Sequence, residues 1–382
     1  MKRLIQTILT ALLATAGVTS LGHAQTMPVP SPPALSAPSY ILMDHESGNV
    51  LAERNADEQR EPASLVKLMT AYVAFSELKS DHLSLDDTAT ISETAWRMGG
   101  SRMFIEVGKR IRVEDLLRGM IIQSGNDASV ALAEHIAGNE ETFAQLMNQY
   151  AERIGMHNTH YVNATGWPDP AQVTTARDIA KLARAMIRDF PEYYQYYSER
   201  DFTFNDITQQ NRNMLLFRDS TVDGLKTGHT SGAGYNLVSS AKRDGMRLVS
   251  AVMGTDSPRD RADQSQALLN YGFRFFRTFR LYDGEEALAT PRLWKGGSDS
   301  LPVGLGGNLY VTIPERQYDN LDASMQVREP VVAPIGKGEK LGELIVTLNG
   351  EEIAREDLIA LEDGGEGGFF GRMFDEFMLL FQ

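Results

Sequence analysis

Ser64 and Lys67 are the residues of this chain best spaced to do chemistry. They stand three residues apart within Arg60 to Thr70, a spacing that puts both side chains on one face of a helix. A serine so placed can become a nucleophile without a histidine, because the lysine amine takes its proton once that amine is kept neutral. The spacing alone decides nothing. A chain of this length should hold about one such pair by chance, and this one holds three, with Ser76/Lys79 and Ser239/Lys242. Ser76 falls late in the same helix, where a solvated helix end accounts for it. Ser239 falls in a predicted strand, where an offset of three puts side chains on opposite faces. Only Ser64 combines a helix start with a buried helix behind it.

That helix is the first element the chemistry requires. Leu65, Val66, Leu68, Met69, Tyr72, Val73, Phe75 and Leu78 make it apolar nearly all round, so it belongs in the middle of a domain. Ser64 then sits at its N-terminal end, where the dipole favours negative charge. Before it, Tyr40 to Met43 and Val50-Leu51 flank a turn and read as a hairpin. After it, helical periodicity runs from Glu114 to Ala137, broken at Gln123 to Asn126, and again over Glu140 to Arg153. These form a helical lobe with Ser124-Gly125-Asn126 in a loop. Asn163 to Ala171 reads as loop and Thr175 to Arg188 as another helix. Three short strands, Val222 to Thr227, Tyr235 to Ala241 and Arg247 to Met253, read as an antiparallel meander. A helix over Arg259 to Phe279 follows, and the mixed charges of Asp256 to Asp263 read as its solvated face. The fold class expected is α/β: an antiparallel sheet flanked by helices, with an all-helical lobe and a cleft between them. A small all-β domain and a C-terminal amphipathic helix complete it.

Composition narrows the setting. The chain has 382 residues, a net charge of −14 and no cysteine, which argues against nucleic acid as a partner and excludes disulfides and thiol chemistry. Lys2 and Arg3, an apolar run to Val18 and Gly22-His23-Ala24 make residues 1–24 a signal peptide cleaved after Ala24. The expected organisation is then a Pro-rich leader over 25–39, a catalytic domain over 40–279 and a β-rich domain over 280–363. A glycine linker and amphipathic helix fill 364–382. On that helix Phe370, Met373, Phe374, Phe377 and Phe381 share a face, with Phe369, Met378 and Leu380 beside it. It is expected to lie on a membrane surface, apolar face down; packing against the β-domain is the alternative. Asp375 and Glu376 outnumber Arg372, against the usual basic bias of such anchors, so binding would rest on apolar burial.

Two further short patterns accompany Ser64/Lys67. Ser-x-Asn occurs at Ser47/Asn49, where a hairpin turn explains it, and at Ser124/Asn126, where nothing local does. Lys226-Thr227-Gly228 occurs once, at a strand end. His157 and His160 have a metal-like spacing but no accompanying ligand cluster, and no metal is expected. The order Ser64-x-x-Lys67, Ser124-x-Asn126, Lys226-Thr227-Gly228 resembles that of penicillin-binding proteins and serine β-lactamases. The text around these residues, with Asn211 to Asn213 and Ala233 to Val238, narrows it. Over about Tyr40 to Phe279 the chain is similar to the low-molecular-mass, peptidase S11-like D-alanyl-D-alanine carboxypeptidases.

That resemblance implies a serine-type carboxypeptidase acting on peptidoglycan stem peptides through an acyl-enzyme, inhibited by β-lactams and using no cofactor. Ser64 would be the nucleophile, Lys67 its base and Ser124 a proton relay. Asn126 would hold the substrate's acyl amide. The strand from Lys226 to His229 would pair with an extended substrate, and the backbone N–H groups of Ser64 and His229 would form the oxyanion hole. Lys226, Thr227 and Arg212 would hold the terminal carboxylate. To act as base, Lys67 must fall several units below about 10.4, through burial and, more, through Lys226. The expected location is the periplasmic face of the inner membrane. Two alternatives remain, a serine β-lactamase and a non-catalytic cell-wall scaffold. The loop Asn163 to Val173 contains no glutamate and Gly125 stands where class A β-lactamases have aspartate, both unfavourable to rapid deacylation. The sequence leaves the oligomeric state open.

Overall fold

The structure, a computed structural model, describes residues 29–380; the predicted signal peptide and Phe381 lie outside them. Strands β1 (Ser39–Asp44), β2 (Val50–Arg54), β3 (Val222–Thr230), β4 (Gly234–Arg243) and β5 (Met246–Thr255) form one antiparallel sheet, ordered β2-β1-β5-β4-β3. Both chain ends of the domain thus meet in one sheet. Successive side chains of a strand face opposite ways, and β1 is buried on both sides. Its Ile41 and Met43 enter one hydrophobic core, Tyr40 and Leu42 another.

The first core is built around helix α1 (Val66–Lys79), whose residues from Val66 to Phe75 are all buried. It also takes in α2 (Val113–Ile122), α3 (Asn126–Ala137), α4 (Glu140–Ile154) and α5 (Ala176–Asp189). Local chemistry sets their ends. Asn139 caps α4 by accepting the Thr142 N–H at 2.8 Å, and Gly155, at φ 81°, ends it in a left-handed turn. Thr175 caps α5 through the Asp178 N–H at 3.1 Å. The second core lies across the sheet, where Leu268, Leu269 and Phe273 of α6 (Pro258–Phe275) pack on Leu42, Leu248 and Val252.

Helix α6 stops four residues before the sequence predicts. Phe276–Tyr282 is a strand instead, paired antiparallel with Leu309–Pro314. Its aromatic and β-branched residues take a sheet partner that lies far along the chain, and pairing outweighs local periodicity. The remaining strands, chiefly Leu321–Val327, Lys340–Leu348 and Glu351–Ala360, enclose a third core with Val303, Leu344, Val346 and Leu358. A polar joint ties it to the five-stranded sheet. The fully buried Asp44 carboxylate accepts from Thr278 Oγ1 at 2.6 Å, and Ser47 Oγ meets Thr312 Oγ1 at 2.6 Å.

The last helix, α7 (Phe369–Leu379), docks by its acids and not by its apolar side. Asp375 accepts from Arg292 at 2.7 Å and from the Lys295 N–H at 2.6 Å, and Glu376 pairs with Lys295 at 3.0 Å. Phe370 stays 80% exposed, and Met373, Phe374 and Phe377 are exposed beside it. The two acids that looked out of place in an anchor are therefore neutralised by the β-domain. No helix among the described residues is long and apolar enough to cross a membrane.

Candidate active site

Ser64 lies in a 3-10 turn, Ala63–Leu65, that leads directly into α1. Lys67, one turn on, is 1% exposed. Its Nζ lies 3.1 Å from Ser64 Oγ, 2.7 Å from Asn126 Oδ1 and 2.5 Å from the Thr165 carbonyl oxygen. Two of these three partners can only accept. A neutral amine has two N–H donors and one lone pair, so with Asn126 and Thr165 taking the donors the lone pair falls to the Ser64 hydroxyl. That is the geometry of a base.

Burial is the first cause that pulls the Lys67 pKa down to about 7, and the charge of Arg212 is the second; Asp127 and Glu140 act against them. The second cation expected was Lys226. Lys226 is itself held well below the ordinary lysine range, by burial and then by the charges of Lys67, Arg212 and Arg261. The repulsive charge acting on Lys67 is that of Arg212.

Ser124 occupies the break between α2 and α3 with φ 69°, a left-handed conformation uncommon for serine. Its Oγ is buried without a hydrogen-bond partner. An orphaned hydroxyl in a polar cleft is an exception that a ligand or proton transfer resolves. Asn126 opens α3 and donates through Nδ2 to the Gly99 carbonyl at 2.8 Å. The next residue, Asp127, is one the sequence reading passed over. Fully buried, it accepts from the Met103 and Phe104 N–H groups at 2.8 and 2.9 Å, pinning the strip 99–105 over the start of α3.

Strand β3 forms the opposite wall and lies at an edge of the sheet, as substrate pairing requires. Thr227, Gly228, His229 and Arg212 line a cleft of about 910 Å³ together with Ser64, Ser124 and Asn126. Lys226 is buried behind them, its Nζ donating only to the Thr227 carbonyl at 3.3 Å. Gly228 admits close approach, for a Cβ there would lie 3.1 Å from the Pro62 carbonyl oxygen. His229 stacks on Tyr235 with ring centroids 3.9 Å apart. Of the predicted site residues, Ser64, Ser124, Asn126, Arg212, Thr227, Gly228 and His229 line the cleft, while Lys67 and Lys226 are buried beneath its surface.

Arg261 joins them unexpectedly. The segment Asp256 to Asp263 reads as a solvated face, yet Arg261 is 7% exposed and lines the cleft, donating to the Gly228 carbonyl at 3.2 Å. Burial, then Arg212, pulls its pKa down to about 10. Which face of α6 meets the sheet decides this, and charge pattern does not encode it. The decoy serines are spent elsewhere: Ser76 on Tyr150 at 2.6 Å and Ser239 on Ser250 at 2.8 Å. His157 lies beside Glu152, and no cluster among the described residues suits a metal.

Behind the nucleophile, Gly166 (φ 83°) packs against the backbone of Ala63 and Ser64, and Asn163 Oδ1 accepts its N–H at 2.8 Å. A Cβ at Gly166 would overlap the Ala63 carbonyl oxygen and lie 2.9 Å from Ser64 N. Gly166→Ala should therefore displace Ser64 and slow its reaction with an acylating probe by roughly 100-fold, the cost of about 1 Å of misplacement. Stopped-flow labelling checks this; an unchanged rate would show that the Gly166 contact does not position Ser64.

Comparison with known proteins agrees with this geometry. Residues 26–257 match the family model described as D-alanyl-D-alanine carboxypeptidase, and residues 276–366 match that of the penicillin-binding protein 5 C-terminal domain. The chain is 45% identical to the D-alanyl-D-alanine carboxypeptidase DacC of Escherichia coli over 371 residues, covering 95% of this chain and 92% of that protein. Penicillin-binding protein 5 from Haemophilus influenzae superposes with a TM-score of 0.85 at 42% identity, over 88% of this chain and 99% of that one. Penicillin-binding protein D2 from Listeria monocytogenes, solved in an ampicillin-bound form, matches with a TM-score of 0.59 at 30% identity, over 64% of this chain and 100% of that one. The chain belongs to the D-alanyl-D-alanine carboxypeptidase family.

Proposed function

We propose that this protein is a serine-type D-Ala-D-Ala carboxypeptidase that removes the terminal D-alanine of peptidoglycan stem pentapeptides. The observation that carries the reading is the Lys67 amine, buried, held near pH 7 and aimed at Ser64 Oγ. The substrate pairs along β3, its carboxylate held by Lys226, Thr227 and Arg212, and its acyl amide by Asn126. The carboxylate favours the charged form of Lys226. Ser64 Oγ attacks the scissile carbonyl carbon as its proton passes to Lys67. The backbone N–H groups of Ser64 and His229 stabilise the oxyanion. Ser124 relays a proton to the leaving amine of D-alanine, and water then hydrolyses the ester. A β-lactam enters the same site and leaves a long-lived acyl-enzyme. The acid that does approach the site, Glu140, is held by the Ala164 N–H at 2.9 Å and raised in pKa, chiefly by burial, unlike a free carboxylate poised for rapid deacylation.

We assign the catalytic unit to residues 40–279, the β-rich unit to 280–363, and a linker with its helix to 364–382. Residues 1–24 direct export, the leader 25–39 follows, and the protein works at the periplasmic face of the inner membrane. The exposed apolar side of α7 supports attachment to the membrane surface.

Incubation with penicillin should leave a lasting covalent adduct on Ser64, seen by mass spectrometry and absent in Ser64→Ala, while a pentapeptide releases D-alanine. Rapid penicillin turnover would indicate a β-lactamase, and no D-alanine release a scaffold. The acylation rate should rise with pH through about 7 and then level, since only neutral Lys67 accepts a proton. Arg212→Gln removes a repulsion that favours the neutral amine, so this limb should move to higher pH; a limb that stays in place refutes the coupling. Attachment to vesicles should survive high salt and disappear on truncation before Phe369. Release by salt alone would refute apolar anchoring.

A further inference from the structure

Away from the cleft, we propose a second binding site, for a phosphate-bearing ligand, between α4 and α5. A cavity of about 240 Å³ is lined there by Tyr72, Tyr150, Arg153, Lys181, Arg184 and Arg188 among others, four cations and no carboxylate. In a chain of net charge −14 such a concentration is unusual, and only Lys181 and Arg188 of the four have an ion-pair partner among the described residues. Arg153 makes no ion pair among the described residues and lies 5.2 Å over the Tyr150 ring. Arg184 donates only to main-chain carbonyls, those of His45 at 2.8 Å and Glu46 at 3.2 Å. Lys181 donates to the Gly155 carbonyl at 2.5 Å, with Asp178 at 3.5 Å. Arg188 alone is closely paired, with Asp189 at 2.7 and 2.9 Å.

The surroundings register that excess. His45, whose carbonyl holds Arg184, has its pKa pulled to about 4, first by burial and then by Arg184, Arg247 and Arg188. A second arginine-lined cavity makes the contrast. It contains Asp244, and two of its three arginines pair with Asp219 and Glu315.

The chemistry of the ligand follows from the donors. Tyr72 and Tyr150 have spent their hydroxyls on Asp189 and Ser76, so recognition falls to the cations. Guanidinium forks match phosphate and carboxylate alike, but four cations lining one cavity call for more charge and more oxygens than one carboxylate supplies. A phosphate monoester or pyrophosphate meets that demand and fits the volume.

Calorimetric titration of the full chain at constant ionic strength tests the site. Pyrophosphate should bind saturably at one site and more tightly than inorganic phosphate, and Arg153→Gln and Arg188→Gln should each weaken it roughly tenfold, as loss of one charge-assisted contact implies. Arg153 is exposed and unpaired, so its replacement spares the fold. Displacement of pyrophosphate by phosphatidylglycerol vesicles would identify a lipid headgroup as the natural source, and no displacement a soluble phosphate. Absence of saturable binding, an affinity unchanged from that of the parent protein in both variants, or tighter binding of citrate than of pyrophosphate would overturn the proposal.

Discussion

A buried lysine whose hydrogen-bond partners among the described residues include no carboxylate is the constraint on which this site depends. Burial of an ammonium costs several kcal/mol, and the protein lets Lys67 meet that cost by giving up its proton. Holding the amine near pH 7 instead of its usual 10.5 favours the neutral form by on the order of 5 kcal/mol. The surrounding structure maintains that state. The buried stretch of α1 from Val66 to Phe75 excludes water, Asn126 and Thr165 accept the two N–H bonds, and Arg212 repels a returning proton. None of these does the chemistry by itself; each removes an alternative that Lys67 would otherwise have.

The rest of the architecture holds two walls at a fixed separation. One wall is the end of α1 with the break between α2 and α3, pinned by the buried Asp127. The other is β3, held by its pairing with β4. Gly166 and Gly228 let backbone approach backbone behind the nucleophile and across from it. Ala63 and Ser124 both adopt positive φ beside Lys67 and Ser64, as backbone at functional sites often does.

The β-rich unit and α7 follow a different logic. Asp44, Thr278 and Thr312 make a small hydrogen-bonded joint in place of a broad apolar interface. Arg292 and Lys295 hold α7 by its acids, which leaves the phenylalanines facing outward. A helix docked by its polar side keeps its apolar side available, and the orientation of the whole molecule on a surface follows from where that helix is clamped.

The sequence by itself made legible the Ser64/Lys67 pair, the helix that carries it, the loop of Ser124 and Asn126 and the strand of Lys226. Local spacing, an apolar run and turn-forming residues place these residues on their elements, while the order of the three short patterns, similar to that of a known family, singles them out from their decoys. What only the tertiary structure decided depends on distant partners. Helix α6 ends at Phe275 because Leu309–Pro314 pairs with the residues that follow. Arg261 turns inward because that face of α6 meets the sheet, and Asp375 turns toward Arg292 across 83 residues of chain. The repulsion on Lys67 comes from Arg212, a charge that only folding brings to bear on the buried amine.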